Sequence, residues 1–427
     1  MKTRVVIIGN GIAGFSAAVA ARRSSPESEV VMISAEEEPL YSPCVLPDYI
    51  AGRISRERTY VKGFEDYARL QMKLHFGRVV ERVDADAGRV WLDNHKDLRF
   101  DRLVLALGSR AVEIGDYKRG GFVVKSLSDA DALIRHKGKK AVVVGSGAIG
   151  IEVAIALKKR GYKVRVLEAL SRLLPMGLDQ KAANKMREFL QENGIDVALD
   201  EKAAMVMGGA RVEGLKTDRR ELECDTLIWA IGMKPNVELA RNAGIRVGPK
   251  GGIEVNARME TSLPCVYACG DCIETKDIIS GKTSLNFFWH NANRQGRVAG
   301  CNSAGFLSDY RGSENLLNLD VFGRHVVGFG LTVSALKEGG IDPGKISVME
   351  DEKENSYSRL VFADRICVGG QFINPGREAG LIWGFVRQRK SVDRLLESFG
   401  RNKARSQGIL LDRASPFFSE KNFVKAA

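Results

Sequence analysis

Cys44 stands in "YSPCVLPDYIAG" (residues 41–52), a proline-flanked, turn-like stretch that follows a glycine-rich segment. A thiol so placed is a candidate redox nucleophile, since a helix N-terminus or an electron-poor ring nearby would favour the reactive thiolate. It is equally a candidate for a small residue that merely lines a cofactor. Two glycine triads offer a second kind of chemistry: Gly9, Gly11 and Gly14 in "GNGIAG", and Gly145, Gly147 and Gly150 in "GSGAIG". In such a motif the first glycine permits a tight turn, the second lets the backbone approach a pyrophosphate, and the third lets a helix pack close. The helix N-terminus then supplies N–H donors and partial positive charge.

The elements that must position these residues can be read on either side of them. "TRVVIIG" is an apolar run suited to a buried parallel strand, "FSAAVAARR" a small-residue helix, and "EVVMIS" (29–34) a second buried strand. The order recurs in "KAVVVG" (140–145), "IEVAIALKKRG" and "KVRVLE" (163–168), where Glu168 closes the strand. A lone glycine motif is weak; two, each between a strand and a helix, predict two bound dinucleotides, with a flavin and a nicotinamide the useful pairing. "LVLALGSRA" (103–111) and "TLIWAIGMKPN" (226–236) are strand-to-glycine junctions at Gly108 and Gly232, and they bracket the second unit as though it were inserted into the first. "TSLPCVYACGD" (261–271) is a further strand ending at Gly-Asp. From about residue 310, "NLDVFGRHVVGFGLT" and "YSRLVFADRICVGGQFI" predict antiparallel strands, and "EAGLIWGFVRQRKSVDRLLESF" an amphipathic helix.

The 427 residues suggest two or three domains, and 44% hydrophobic with 28% charged residues reads as globular and soluble. No apolar run reaches the ~18 residues of a membrane span, and no signal-peptide cleavage site follows the apolar N-terminus. Seven scattered cysteines make no disulfide framework and fit a reducing cytoplasm. Zinc-type spacing is absent, so no metal is expected. The net charge of +12 admits nucleic acid, an acidic surface or an anionic partner, but no nucleic-acid motif accompanies it. Residues 387–427 hold ten Lys/Arg against four Asp/Glu, which is either a solvated surface or a dock for an acidic partner. Cys269 and Cys272 form the one CxxC, with Gly270 and Asp271 between them, so a structural role is expected there rather than a redox pair.

"GNGIAG", "GSGAIGIE", "AIGMKPN" and "TSLPCVYACGD" together resemble the FAD-dependent pyridine nucleotide–disulfide oxidoreductases, over nearly the whole chain to about residue 397. The nearest group is that of NADH oxidases, coenzyme A-disulfide reductases and NADH-dependent ferredoxin or rubredoxin reductases. The resemblance implies an α/β fold with two Rossmann-like domains, the NAD domain inserted in the FAD domain, followed by an α+β C-terminal domain that commonly forms a homodimer. The expected boundaries are 1–112 and 225–309 for the FAD domain, 113–224 for the NAD domain, 310–397 for the C-terminal domain and 398–427 for a basic extension. It implies FAD at Gly9, Gly11, Gly14, Gly108 and Asp271, and NAD(H) at Gly145, Gly147, Gly150, Glu168 and Gly232. Glu152 would lie near the meeting of nicotinamide and flavin, and His290 could touch the flavin edge. Glu168 falls where a carboxylate binds the adenine ribose and repels a 2′-phosphate, favouring NAD over NADP, although Arg165 and Arg172 are close in sequence. Ser34 occupies the strand-end position where an acid often holds the FAD ribose, leaving Glu36 or Glu37 to reach it.

"CVLPDYIAG" resembles the redox-cysteine segment of coenzyme A-disulfide reductases, and Arg22–Arg23 matches a basic pair that the family sets against coenzyme A phosphates. "LYSP" instead resembles the ferredoxin and rubredoxin reductases, in which the thiol is absent and electrons pass directly to a protein. No second cysteine follows until Cys224, the last histidine is His325, and the last tyrosine is Tyr357, which removes the partners that disulfide reductases place near their C-termini. The departures favour an electron-transfer subunit. It would exchange hydride between NAD(H) and FAD and electrons with an iron–sulfur protein, as in the NAD-reducing flavoproteins of 2-oxoacid or phenylglyoxylate dehydrogenase-type complexes. The alternative is a stand-alone NADH-dependent coenzyme A-disulfide or persulfide reductase, or NADH oxidase, working through Cys44.

Overall fold

The computed structural model describes residues 2–112, 121–376, 378–391, 393–394 and 423–425. The described chain forms two compact units, one from 2–112, 123–137 and 232–313, the other from 121–122, 138–231 and the described part of 314–425.

The first unit is built on a parallel five-stranded sheet in the order Val266–Ala268, Arg102–Leu105, Arg4–Ile8, Glu29–Ser34, Lys73–Phe76. Its central strands are apolar end to end because both faces are covered; Val5, Val6, Ile7, Val30 and Met32 have no exposed surface. Each such side chain contributes roughly 1.5–3 kcal/mol of burial. The helix Ile12–Ser24 lies on this sheet and packs against the helix Trp289–Ser303. Glycine allows that contact: a Cβ at Gly296 or Gly300 would lie 2.1 Å from the carbonyl oxygen of Ala13 or Ala17. The Cys44 segment leaves the sheet as a short 3-10 turn, Pro43–Val45, followed by the helix Leu46–Ile50. Backbone bonds from Ser42 to Thr59 and from Val61 to Leu40 (2.9 and 2.8 Å) tie it to the returning strand of chain. A further helix, Leu127–Arg135, carries a capping box from Ser126 and Asp129 and packs on Leu46–Ile50.

The second unit contains another parallel sheet, ordered Ile195–Ala198, Lys163–Leu167, Lys140–Val144, Thr226–Trp229, Gly121–Phe122. It also holds an antiparallel sheet ordered Leu316–Val321, Arg324–Gly330, Ile366–Ile373, Ser356–Ala363, Ile346–Lys353, Phe423–Lys425. Buried Asp179 and Gln371 join the two parts through paired bonds of 2.8 and 2.7 Å.

Three expectations shift. Residues 123–137 belong to the first unit, because Leu127–Arg135 packs against the Cys44 segment rather than the second sheet. Thr226–Trp229, assigned to the first domain, is hydrogen-bonded into the second sheet beside Lys140–Val144, which needs a return strand on that side. The C-terminal helix spans Glu378–Arg387 and stops; Arg389 has φ +52° and Ser391 bridges back to Ile366. Most of the basic extension lies outside the described residues, and Phe423–Lys425 is a strand. Among the described residues, no helix is long and apolar enough to cross a membrane.

Candidate active site

The glycine triads divide by what surrounds them. Gly9 has φ +108°, and a Cβ there would lie 2.1 Å from the Ala106 carbonyl oxygen; one at Gly14 would lie 1.9 Å from the Gly9 carbonyl oxygen. The protein's own backbone therefore requires both. Gly11 faces open space within 4 Å, at a helix N-terminus that no side chain caps. The second triad repeats this: Gly145 and Gly150 would clash with the carbonyl oxygens of Ala230 and Gly145 at 2.3 and 2.1 Å, whereas Gly147 faces open space. In both turns, the open space at the middle glycine and the helix N-terminus that no side chain caps suit an anionic phosphate group. Beside Gly9, a cavity of about 410 Å³ opens between Ile33, Ala35, Arg78, Leu107 and Asn236, room enough for the adenosine end of a dinucleotide.

Gly108 (φ +67°) and Asp271 lie in the same unit. Ser109 Oγ donates to Asp271 Oδ2 at 2.7 Å, and Lys125 Nζ reaches both atoms at 3.0 Å. Lys125 and Ser109 escaped the sequence reading; the visible signal was a lysine set one residue before the helix cap in "KSLSD". Glu36 is exposed and accepts from Tyr41 Oη at 2.8 Å, and local desolvation raises its pKa above the ordinary carboxylate value. Glu37 instead lies against Gly77, beside the end of the sheet. His290 is half-buried in the first turn of its helix, its ring 5.7 Å from that of Phe288.

Cys44 is exposed. A groove of about 410 Å³ runs between the helices Ile12–Ser24 and Trp289–Ser303, walled also by Leu40, Val61 and Lys62; Cys44 itself is not among its lining residues. The backbone bonds that hold the Cys44 segment are the same ones that bring Leu40 and Val61 together. Arg23, Lys62 and Arg297 line the groove, with Ser16, Asn293 and Cys301. Asn293, Arg297 and Cys301 recur every fourth residue, so one helix face presents all three. Sequence reasoning passed over that face. It also paired Arg22 with Arg23, and here the structure separates them. Arg22 donates to the backbone carbonyls of Ser28, Pro26, Leu70 and Gln71 at 2.6–3.0 Å, a structural task, and only Arg23 lines the groove.

In the second unit Glu168, buried, accepts from Ser146 N and Oγ (2.8 and 2.6 Å) and from Leu170 N, so its carboxylate braces the glycine turn. Arg165 is occupied by Asp196, and Arg172 donates to Pro175 O. Glu152 is half-buried in the helix Ala148–Lys159. Gly232, grouped with these residues by sequence, falls in the first unit, where its carbonyl accepts from Val112 N. Cys269 and Cys272 are fully buried; burial pushes both thiols up, that of Cys272 to about 12, which leaves them inert as nucleophiles at neutral pH. Among the described residues no His/Cys/Asp/Glu cluster could hold a metal ion.

Comparison with known proteins places the chain in a family. Residues 3–296 match the family described as pyridine nucleotide-disulphide oxidoreductase. The chain is 38% identical over 316 residues to an NADH oxidase of Methanocaldococcus jannaschii, covering 71% of this chain and 70% of the relative. It is 34% identical over 350 residues to a CoA-dependent NAD(P)H sulfur oxidoreductase of Pyrococcus abyssi, covering 79% and 78%. Among solved structures, an NAD-dependent persulfide reductase from A. fulgidus superposes with a TM-score of 0.88 at 26% identity, covering 97% of this chain and 82% of that one. The chain belongs to the pyridine nucleotide-disulphide oxidoreductase family and is an FAD-dependent NAD(P)H oxidoreductase.

Proposed function

We propose that the protein uses NADH to reduce the sulfur–sulfur bond of a small anionic thiol derivative, a coenzyme A disulfide or persulfide, through Cys44. The observation that carries this reading is the groove with Arg23, Lys62 and Arg297 on its walls, held by the same backbone ties as the Cys44 turn. Three cations along a groove of this size suit the phosphates of a nucleotide-bearing thiol. The CoA dependence named for the P. abyssi relative supports the same substrate class.

In this reading Gly9, Gly11, Gly14, Gly108 and Asp271 hold FAD, and Gly145, Gly147, Gly150 and Glu168 hold the nicotinamide nucleotide. FAD held there would supply the route by which the electron pair of a hydride from NADH reaches the sulfur–sulfur bond. Lys125 offsets the charge of Asp271 and keeps its carboxylate oriented. Arg23, Lys62 and Arg297 hold the substrate's anionic end. The Cys44 thiolate attacks the substrate S–S bond: one Cys44–sulfur bond forms, the S–S bond breaks, and the departing thiolate takes a proton from water. The electron pair then cleaves the Cys44–sulfur bond, releasing the second sulfur product and restoring the thiolate.

A second reading, electron delivery to an iron–sulfur protein, is favoured by the net charge of +12, which would attract an acidic partner. Anaerobic stopped-flow titration with NADH of FAD-loaded wild type and Cys44→Ser separates the two. With both proteins first treated with a coenzyme A disulfide, which leaves Cys44 as a mixed disulfide and releases one thiol, wild type should take up one two-electron equivalent more than Cys44→Ser and then show a long-wavelength thiolate–flavin band that the variant lacks. Equal uptake with matching spectra would remove the thiol reading and leave the iron–sulfur one.

A further inference from the structure

The Cys44 turn stands outside the sheet, so something else must fix where its thiol points. The helix Leu127–Arg135 is that support. Asp131, on this helix, receives Tyr49 Oη on Oδ1 at 2.7 Å and Arg56 Nε on Oδ2 at 3.3 Å. Tyr49 follows Cys44 at the end of the helix Leu46–Ile50, and Arg56 lies on the returning chain, so one carboxylate takes donors from two points along the same loop. The loop is closed on itself by Glu38, whose oxygens accept from Arg56 Nη2 at 2.8 Å and from Tyr60 Oη at 2.6 Å. At the start of the same helix, Leu127 N donates to Tyr41 Oη at 3.3 Å. Two residues earlier, Lys125 grips Asp271 and Ser109. One short segment, 125–131, thus fastens the Cys44 loop at one end and the Gly-Asp junction at the other.

We propose that Asp131 is a positioning residue for Cys44: by binding Tyr49 and Arg56 together, it sets the register of the Cys44 turn on the helix Leu127–Arg135. The consequence for turnover rests on the thiol reading above, but the placement of the thiol does not. Asp131 touches neither substrate nor cofactor in this account. Removing its carboxylate frees Tyr49 and Arg56 together, whereas an amide still accepts from Tyr49 and loses only the charged partner of Arg56. Arg56 keeps Glu38 in either variant, so the loop stays closed while its attachment to the helix is altered.

The test compares FAD-loaded, full-length wild type, Asp131→Ala and Asp131→Asn. The rate of iodoacetamide alkylation is followed at Cys44 by peptide mass spectrometry, with exposed Cys265 as internal control. The rate at Cys44 should change by roughly fivefold or more in Asp131→Ala, a change of about 1 kcal/mol in its barrier. Asp131→Asn should recover part of it, with Cys265 alkylation, melting temperature and FAD affinity near wild type. An unchanged Cys44 rate in Asp131→Ala would overturn the proposal. So would an equal change at Cys265, which would mean general loosening. If instead the alkylation effect appears while wild type and Cys44→Ser take up equal electron equivalents, the positioning role stands and the thiol-reductase reading falls.

Discussion

A methyl group at Gly14 would sit 1.9 Å from the Gly9 carbonyl oxygen, whereas one at Gly11 would meet nothing within 4 Å. Gly14→Ala should therefore damage the fold itself, while Gly11→Val should fold normally by circular dichroism and lose FAD affinity by roughly tenfold or more, an amount worth at least about 1.4 kcal/mol. Fluorescence titration of the apoprotein with FAD distinguishes the two outcomes. The adjacent arginines divide in the same way. Arg22→Ala leaves several carbonyl groups without their charged donor and should cost about 1.5–3 kcal/mol in chemical denaturation. Arg23→Ala should leave stability intact and raise KM for a coenzyme A disulfide. Glu36 makes a pH-dependent case. Local desolvation, opposed by the Tyr41 bond and reinforced by the nearby Asp129 and Glu38 carboxylates, raises the folded-state pKa of this exposed residue above the unfolded value, so the folded state holds the proton slightly more firmly. Its contribution to stability is then fully present below the unfolded pKa and is lost as pH rises through the raised folded value. Glu36→Gln, which keeps an acceptor for Tyr41, should raise the melting temperature at pH 8 and lose that advantage near pH 4.

At the scale of elements, the groove depends on how closely two helices approach. Gly296 and Gly300 leave no space for a side chain against Ala13 and Ala17. Gly300→Val should spread the pair, costing 1–3 kcal/mol or more by the usual range for overpacking, and should also weaken thiol-substrate binding because Arg23 and Arg297 stand on the two helices. Paired kinetics and thermal melts would show both effects in one variant; a loss of stability without any change in KM would detach the groove from substrate binding. The same elements show what sequence could and could not disclose. Strand, glycine turn, helix and strand were legible because each leaves a local imprint: an apolar run, a turn that demands glycine, a small-residue helix. The groove left none, since Arg23, Lys62 and Arg297 are far apart along the chain and meet only after Gly296 and Gly300 allow the helices together. Arg22 and Arg23 read alike because sequence does not show which carbonyls lie within reach. Thr226–Trp229 was placed in the first domain for a related reason: an apolar strand suits either unit, and only pairing with Lys140–Val144 decides between them.

At the scale of the molecule, the C-terminal end re-enters the fold. Phe423–Lys425 adds an antiparallel strand to Ile346–Lys353, pairing Ser347 with Lys425, Val348 with Val424 and Met349 with Phe423. Without it, Ile346–Lys353 would be the edge of the antiparallel sheet, and its first half is apolar, with Ile346, Val348 and Met349 buried. A long, apolar edge with unpaired N–H and C=O groups is a template for pairing with another chain, so a covering strand protects it. Truncation after residue 422 should therefore increase self-association at micromolar concentration, as measured by light scattering, without altering FAD content. Truncation that leaves the scattering mass unchanged would mean that the three-residue strand does not protect the edge.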